Sequence, residues 1–411
     1  MSAETATASD NIHRFRNNGT AIKDGNQAWN AALEGGLIDI RVDYDANGRL
    51  RRLDGHRFVN LCSCSYLGLA SHPAILEGAI DALRSQGAMD LPITRIRLRL
   101  NLLEEFEDEL TKLMGARTVC AVTCSSATAG VLPLVASGHM TEDGRPRVMV
   151  FDKFAHFSMN LIKPICADET EVLTARHNDL NFLEDVCKKK ERVAYVCDGV
   201  YSTGGSAPIK ELLTLQDRYG LYLFIDDSHS LSLWGEHGQG YARSQMAEVN
   251  PLTTIVASLG KGWGTSGGII MLGAPQFEAV LARFGGPLAW SQGLNVPSIG
   301  ASMASLKLHR TPELGRLQRS LRDNILLFDE LVTTPERGDG FPLKVIRVGE
   351  AEDAVRASAG ILERGFYTSA VFFPIVKKGE AGLRIMLRAD LTPDDIRAFA
   401  AAVHEFVPHR K

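Results

Sequence analysis

A lysine stands among glycines in Ser258-Leu259-Gly260-Lys261-Gly262-Trp263-Gly264, directly after an apolar run at 253–257. A primary amine held at the floor of a cleft is a nucleophile toward carbonyl carbon, once burial or a neighbouring cation lowers its pKa. A second apolar run, 221–225, ends in Asp226-Asp227-Ser228-His229. Carboxylate and imidazole together at a buried strand end are costly unless they have partners. A third run, 148–151, leads into Asp152-Lys153-Phe154-Ala155-His156-Phe157-Ser158, and a fourth, 193–197, into Asp198-Gly199-Val200-Tyr201-Ser202-Thr203-Gly204-Gly205. A fifth, 118–123, opens onto Cys124-Ser125-Ser126-Ala127-Thr128-Ala129-Gly130. Small residues that begin a helix offer free amide N–H groups and the positive end of the helix dipole, which suits a phosphate.

Each segment has an ordinary alternative. The serines make a plain helix cap, His156 a satisfied imidazole beside aromatic rings, the 198–205 stretch a turn, and Asp226 with His229 a structural hydrogen bond. Lys261 is not part of a Walker loop, because Gly262 follows it where Ser or Thr is required. Gly235-Glu236-His237-Gly238-Gln239-Gly240 has the spacing GxxGxG and no strand before it, so it is no dinucleotide fingerprint. Taken together, five successive strand ends present a Schiff-base lysine, a carboxylate for a pyridinium nitrogen, imidazoles and a phosphate cup. That is the set of groups a pyridoxal phosphate site requires.

The elements that must position these groups follow from periodicity. Short apolar runs at 118–123, 148–151, 193–197, 221–226, 253–258 and 267–272 are rich in Val and Ile and apolar on both faces, as buried parallel strands are. Helices are predicted after Ser71 and Pro73, from a cap at Asn101 to Gly115, and over 180–189 and 207–219. The alternation predicts an α/β fold with a mostly parallel central sheet sandwiched by helices. Ligands of such sheets lie beyond the carboxyl ends of the strands, where the five segments fall. Upstream, residues 1–30 read as a polar arm, and two strand-like runs at 37–40 and 58–61 flank a turn at Asp45, Asn47 and Gly48. Beyond about 300 the pattern becomes a long helical stretch at 296–333, a strand at 343–348, a helix at 352–363, runs at 366–373 and 382–388, and a helix from Thr392. The expected division is an arm with short strands over 1–60, a large cofactor-binding domain over 61–300 and a smaller α/β domain over 301–411.

Composition narrows the class. With 411 residues, a net charge of −4 and 45% hydrophobic residues, the chain reads as a soluble globular protein with no basic excess for nucleic acid. No apolar run reaches the roughly 18 residues a membrane span needs, and the polar N-terminus has no signal-peptide core. Seven cysteines dispersed through apolar runs read as reduced thiols in a cytoplasmic protein. Cys62/Cys64 and Cys120/Cys124 have no Cys or His partners at zinc spacing, so no metal site is expected.

On Ser65-Tyr66-Leu67-Gly68-Leu69 with His72-Pro73, Asp152…His156-Phe157-Ser158, Tyr201-Ser202-Thr203-Gly204-Gly205, Asp226-Asp227-Ser228-His229-Ser230, Ser258-Leu259-Gly260-Lys261 and Gly382-Leu383-Arg384-Ile385, the chain resembles the α-oxoamine synthases. These are pyridoxal phosphate enzymes of fold-type I, and the likeness runs from about residue 57 to 400. The wording is nearest the long-chain amino-ketone autoinducer synthases. The resemblance implies that Lys261 holds the cofactor covalently and moves protons, and that Asp226 partners the ring nitrogen. It implies that His229 donates to the cofactor's 3′-oxygen and that His156 stacks on the ring. Ser202 falls beside the cofactor, Ser258 near its phosphate, and the amides of Ser126 and Ala127 in the phosphate cup. Arg384 matches the arginine that grips the substrate carboxylate. The chain departs from the family at 91–100, at Ser125–Gly130 and at Ala389-Asp390-Leu391-Thr392.

The activity implied is decarboxylative condensation of an α-amino acid with an acyl thioester, carried on coenzyme A or on an acyl carrier protein, in a homodimer. The rival activities on the same cofactor are those of an aminotransferase, a decarboxylase or a retro-aldol enzyme. A non-catalytic partner subunit is a rival of another class, which the presence of both Lys261 and Asp226 opposes.

Overall fold

The computed structural model describes residues 18–45, 49–372, 376 and 379–407. The first seventeen residues of the expected arm, and Asn47 and Gly48 of the expected turn, lie outside them. The described chain opens with α1 (Asn18–Glu34), β1 (Val42–Tyr44), β2 (Leu50–Arg52) and β3 (Arg57–Asn60). Next come α2 (Pro73–Gln86), α3 (Asn101–Met114), β4 (Arg117–Ala121), α4 (Cys124–Ala136), β5 (Val148–Asp152), α5 (Phe157–Asn160), α6 (Lys163–Glu169) and β6 (Val172–Ala175). The alternation continues with α7 (Leu180–Lys189), β7 (Val193–Asp198), α8 (Ile209–Tyr219), β8 (Tyr222–Asp226), α9 (Tyr241–Ser244), β9 (Thr253–Ser258) and β10 (Gly268–Leu272). The rest is α10 (Glu278–Phe284), α11 (Pro287–Trp290), α12 (Val296–His309), α13 (Pro312–Leu331), β11 (Leu343–Gly349), α14 (Ala351–Glu363), β12 (Phe366–Tyr367), β13 (Ser369–Val371), β14 (Ala381–Met386) and α15 (Pro393–Phe406).

The central sheet has seven strands in the order β4-β10-β9-β8-β7-β5-β6. Its strands are apolar on both sides because both sides are covered. On β7, Tyr195 and Cys197 pack with Leu103, Phe106 and Leu110 of α3 and with α7, α8 and α12. Ala194 and Val196, which point the other way, pack with α4, α5 and α6. This side-to-side alternation is the period of a strand.

The parallel pattern holds for β5 through β9 but not for β10, which is antiparallel to both β9 and β4. The reason lies in the connection. Nine residues (259–267) join β9 to β10, and a parallel crossover needs a dozen or more. The chain must therefore turn straight back, and Lys261 rides on that return.

Other expectations are adjusted in detail. The 37–40 run is no strand, because Asp39 takes a left-handed φ of 56°. Asn101 is the first helical residue of α3 and Leu100 its cap. The 296–333 helix is two helices, since Pro312 begins a new one capped by Thr311. The 366–373 run splits: β12 joins a four-stranded sheet beside β3, and β13 joins β14 and β11. Strand β6 was not expected. It pairs only with β5, at the sheet edge, and is half exposed, so its sequence lacks the apolar run of a central strand.

The pairing of β3 with β12 is parallel and ties the two ends of the chain together. Phe58, Val59 and Leu61 share one core with Phe366, Leu383, Ile385 and Phe399. Arg388 donates to the Asn60 carbonyl at 2.5 Å, and the Met386 amide donates to the Leu61 carbonyl.

Candidate active site

The carboxyl ends of β8 and β9 set the centre. β8 ends at Asp226, whose carboxylate is buried; Oδ1 accepts the Ser228 amide at 3.0 Å. The Cys124 thiol of α4 lies 3.7 Å from Oδ2. Ser228 ties the elements together, since its hydroxyl donates to Cys124 Sγ (3.4 Å) and accepts the Ser258 amide of β9 (2.9 Å). The neighbouring Asp227 faces away into structure, accepting Ser230 Oγ and the Ala242 amide.

Lys261 Nζ lies 2.8 Å from His229 Nε2. The other nitrogen of that ring, Nδ1, lies 2.6 Å from the Tyr66 hydroxyl. Burial drives the His229 pKa well below its usual value, and the positive charges of Lys261 and Arg384, with His156, push in the same direction. His229 is therefore a neutral imidazole in this site.

His156 is placed by a set of carboxylates. Asp152, fully buried at the end of β5, accepts the Phe154 and Asn178 amides, the Tyr195 hydroxyl and the His177 ring, which pins the turn into α5. The His156 amide donates to Asp198 Oδ2 at 2.9 Å, and its ring pairs with Ser158 Oγ at 2.9 Å. Burial lowers the His156 pKa; Asp226 opposes this, and Lys261 and Arg384 add to it. Asp198, at the end of β7, is held well above the carboxylate range by burial and by Asp226.

Arg384 reaches the site from β14. Its Nη1 donates to the Ser202 carbonyl at 3.4 Å, while the buried Nε has no hydrogen-bond partner among the described residues. A buried guanidinium N–H left without an acceptor is a vacancy for a ligand oxygen. At the start of α4, Thr123 Oγ1 accepts the Ser126 amide (3.0 Å), and the Ala127 amide closes the first helical turn on the Thr123 carbonyl. The amides of Cys124 and Ser125 are the ones without a partner there among the described residues. Ser126 and Ala127, the residues expected to cup a phosphate, stand in the first turn of α4 with their amides engaged by Thr123. Ser258 Oγ accepts the Gly260 amide at 3.2 Å and so shapes the lysine turn.

The structure places Lys261, Asp226, His229, His156, Arg384 and Ser202 at one end of the sheet, with Ser126 and Ala127 in the first turn of α4 and Ser258 at the end of β9. Sequence reasoning gave no role to Tyr66, Asp198, Cys124 or Ser228. Tyr66 was visible inside a motif, and Asp198 as a strand-end acid; nothing local signals the contact of Cys124 with Asp226. Among the described residues no cluster of His, Cys, Asp and Glu can hold a metal ion, and no helix is long and apolar enough to cross a membrane.

The residues present fit pyridoxal phosphate. An amine, a buried acid and a neutral imidazole converge, free helix-start amides face the same end of the sheet, and an unpaired guanidinium N–H is aimed inward. Comparison with known proteins agrees. The model of the aminotransferase class I and II family matches residues 56–403. The 8-amino-7-oxononanoate synthase of Nitrosomonas europaea is 29% identical over 86% of this chain and 90% of its own length. That of Mycobacterium sp. (strain JLS) is 30% identical over 83% and 87%. Among solved structures, serine palmitoyltransferase from S. paucimobilis with bound PLP superposes with a TM-score of 0.82 at 19% identity, covering 95% of this chain and 99% of that one. The 8-amino-7-oxononanoate synthase from Francisella tularensis gives 0.70 at 20% identity, over 85% and 97%.

Proposed function

The chain belongs to the aminotransferase class I and II family, in its α-oxoamine synthase group, and from that footing we propose that it condenses an α-amino acid with an acyl thioester. The products are an α-amino ketone, carbon dioxide and free thiol. The observation that carries this reading is the meeting of Lys261, Asp226 and His229 with an arginine whose buried Nε has no partner.

Pyridoxal phosphate, when bound, supplies an electron-withdrawing ring that takes up the electron pair of the bond broken at the amino-acid α-carbon. The chain's own residues do the rest. Lys261 would hold the cofactor covalently and would take and return the proton at the substrate α-carbon. Asp226 would keep a proton on the ring nitrogen. His229 would donate to the 3′-oxygen, and His156 would lie against the ring. The start of α4 from Cys124 to Ala127, with Ser258, would hold the phosphate, and Ser202 would border the cofactor. Arg384 would grip the substrate carboxylate and so orient the amino acid at its α-carbon.

The acyl group arrives on coenzyme A or on an acyl carrier protein, and assays with each donor tell the two apart. Two copies form the working unit. Leu161 and Ile165, 61% and 51% exposed, stand one turn apart beside the His156 segment and suit a covered face. Light scattering that found a fully active monomer would contradict this. A cytoplasmic location fits seven free cysteines.

The direct test has two arms. Borohydride reduction should fix the cofactor to the peptide that carries Lys261. Amino acid with acyl thioester should then release thiol and carbon dioxide in equal amounts. Multiple turnovers with a 2-oxo acid and no thioester consumed would replace this reading with transamination.

A further inference from the structure

Tyr66 is fully buried, and its hydroxyl meets His229 Nδ1 at 2.6 Å, while Nε2 of the same ring meets Lys261 Nζ at 2.8 Å. Three side chains from distant parts of the chain therefore stand in line, with one imidazole between a hydroxyl and an amine. We propose that Tyr66 is a positioning residue that partners Nδ1 of His229 whichever ring nitrogen carries the hydrogen, and so supports the N–H that His229 presents beside Lys261. The inference rests on the reading of Lys261 as the lysine that holds the cofactor.

The argument is one of donors and acceptors. A neutral imidazole has one N–H and one lone pair. Burial, then Lys261 and Arg384, and then the His156 ring all disfavour a charge on it. While Lys261 is an ammonium it can only donate, so Nε2 must accept. Nδ1 then carries the hydrogen and donates to the Tyr66 oxygen. Once Lys261 presents no ammonium, Nε2 can carry the hydrogen and donate to the cofactor. Nδ1 must then accept, and the Tyr66 hydroxyl is the donor in place to satisfy it. A hydroxyl can both accept and donate, so it serves both forms without movement of the ring.

Burial pushes the Tyr66 pKa well above its usual value, and the neighbouring Cys64 adds to this against Arg384. The hydroxyl thus keeps its hydrogen across the working pH range. A phenyl ring at this position would leave one buried ring nitrogen without a partner in either form.

The test uses the holoenzyme and the pH titration of the visible absorbance of its bound pyridoxal phosphate. In Tyr66→Phe the cofactor should remain on Lys261, shown by borohydride fixation and peptide mapping. The titration midpoint should rise by about one pH unit or more, because an anionic cofactor oxygen loses part of its donor; one unit corresponds to about 1.4 kcal/mol. His229→Asn should shift the midpoint by itself, and adding Tyr66→Phe to it should change nothing further. An unmoved or lowered midpoint in Tyr66→Phe overturns the inference, as does an additional shift in the double variant. Should Tyr66→Phe not hold cofactor, protein carrying fluorotyrosine at its eight tyrosines keeps the shape and makes the hydroxyl a stronger donor. Its midpoint should then fall, and an unchanged one overturns the inference. Label on a lysine other than Lys261 brings down the reading of the site and this inference with it. An unmoved midpoint with label on Lys261 brings down the inference alone.

Discussion

Replacing Arg384 with Ala isolates the role of the carboxylate clamp. In the structure the guanidinium is half-buried, makes one long hydrogen bond to the Ser202 carbonyl (3.4 Å) and leaves Nε unpaired. Among the described residues no acidic side chain pairs with it, which leaves its N–H groups for a substrate carboxylate. A hydrogen bond to a charged group is worth about 1.5–3 kcal/mol, and at about 1.4 kcal/mol per factor of ten this converts to roughly a 10- to 150-fold rise in the amino-acid KM. Arg384→Lys keeps the charge but loses the planar fork, and should fall between wild type and Arg384→Ala. The assay is steady-state turnover with saturating acyl thioester and varied amino acid, together with the absorbance change on binding an amino alcohol that lacks the carboxylate. The amino alcohol should bind wild type and Arg384→Ala alike. An unchanged KM, or equal loss of amino acid and amino alcohol affinity, would refute the clamp and point instead to a packing role for Arg384 against the 198–205 loop.

Two further outcomes follow from the same geometry. In Asp226→Asn the amide can no longer hold a proton on the ring nitrogen, so turnover should fall by about a hundredfold or more while cofactor is retained; stopped-flow absorbance and cofactor content check this, and near-normal turnover would sink the role. Burial raises the Asp227 pKa from 3.8 to about 7, although Ser230 and the Ala242 amide favour its charged form. Because the fold disfavours its ionised form, its contribution is fully present below about pH 4, is lost as pH rises to about 7 and stays lost above, at a cost on the order of 4 kcal/mol. Urea midpoints at pH 5 and pH 8 should differ less in Asp227→Asn than in wild type, and an identical pH dependence would count against the assignment.

Much of this site is legible from sequence because α/β sheets place their chemistry at strand ends. Lys261, Asp226 and His229 each follow an apolar run directly, so strand position alone brings them to the same edge. The direction of β10 is also readable, from the nine residues that separate it from β9. What local sequence does not carry is contact between distant segments. Tyr66 lies 163 residues from His229, and nothing around it forecasts that its hydroxyl meets an imidazole. Cys124 reads as a small helix-start residue, yet its thiol touches Asp226 across the sheet. The phosphate loop illustrates a nearer limit. Thr123 is a strong cap residue two places before Ser125, and its claim on the Ser126 amide was there to be read; it moves the free amides to Cys124 and Ser125.

The parallel pairing of β3 with β12 has a consequence for how the protein is made. His56 and the Leu362 carbonyl that it bonds are 306 residues apart, and the Asn60 carbonyl waits for Arg388, 328 residues on. At about 5–20 residues per second of synthesis, β3 stands without this partner for roughly 15–60 seconds. During that time Phe58 and Val59, buried in the finished molecule, lie on an unpaired strand edge, which is a template for mispairing. Nascent chains stopped short of residue 366 should therefore engage chaperones through their first sixty residues. Release should come abruptly, once residues 366–388 have emerged.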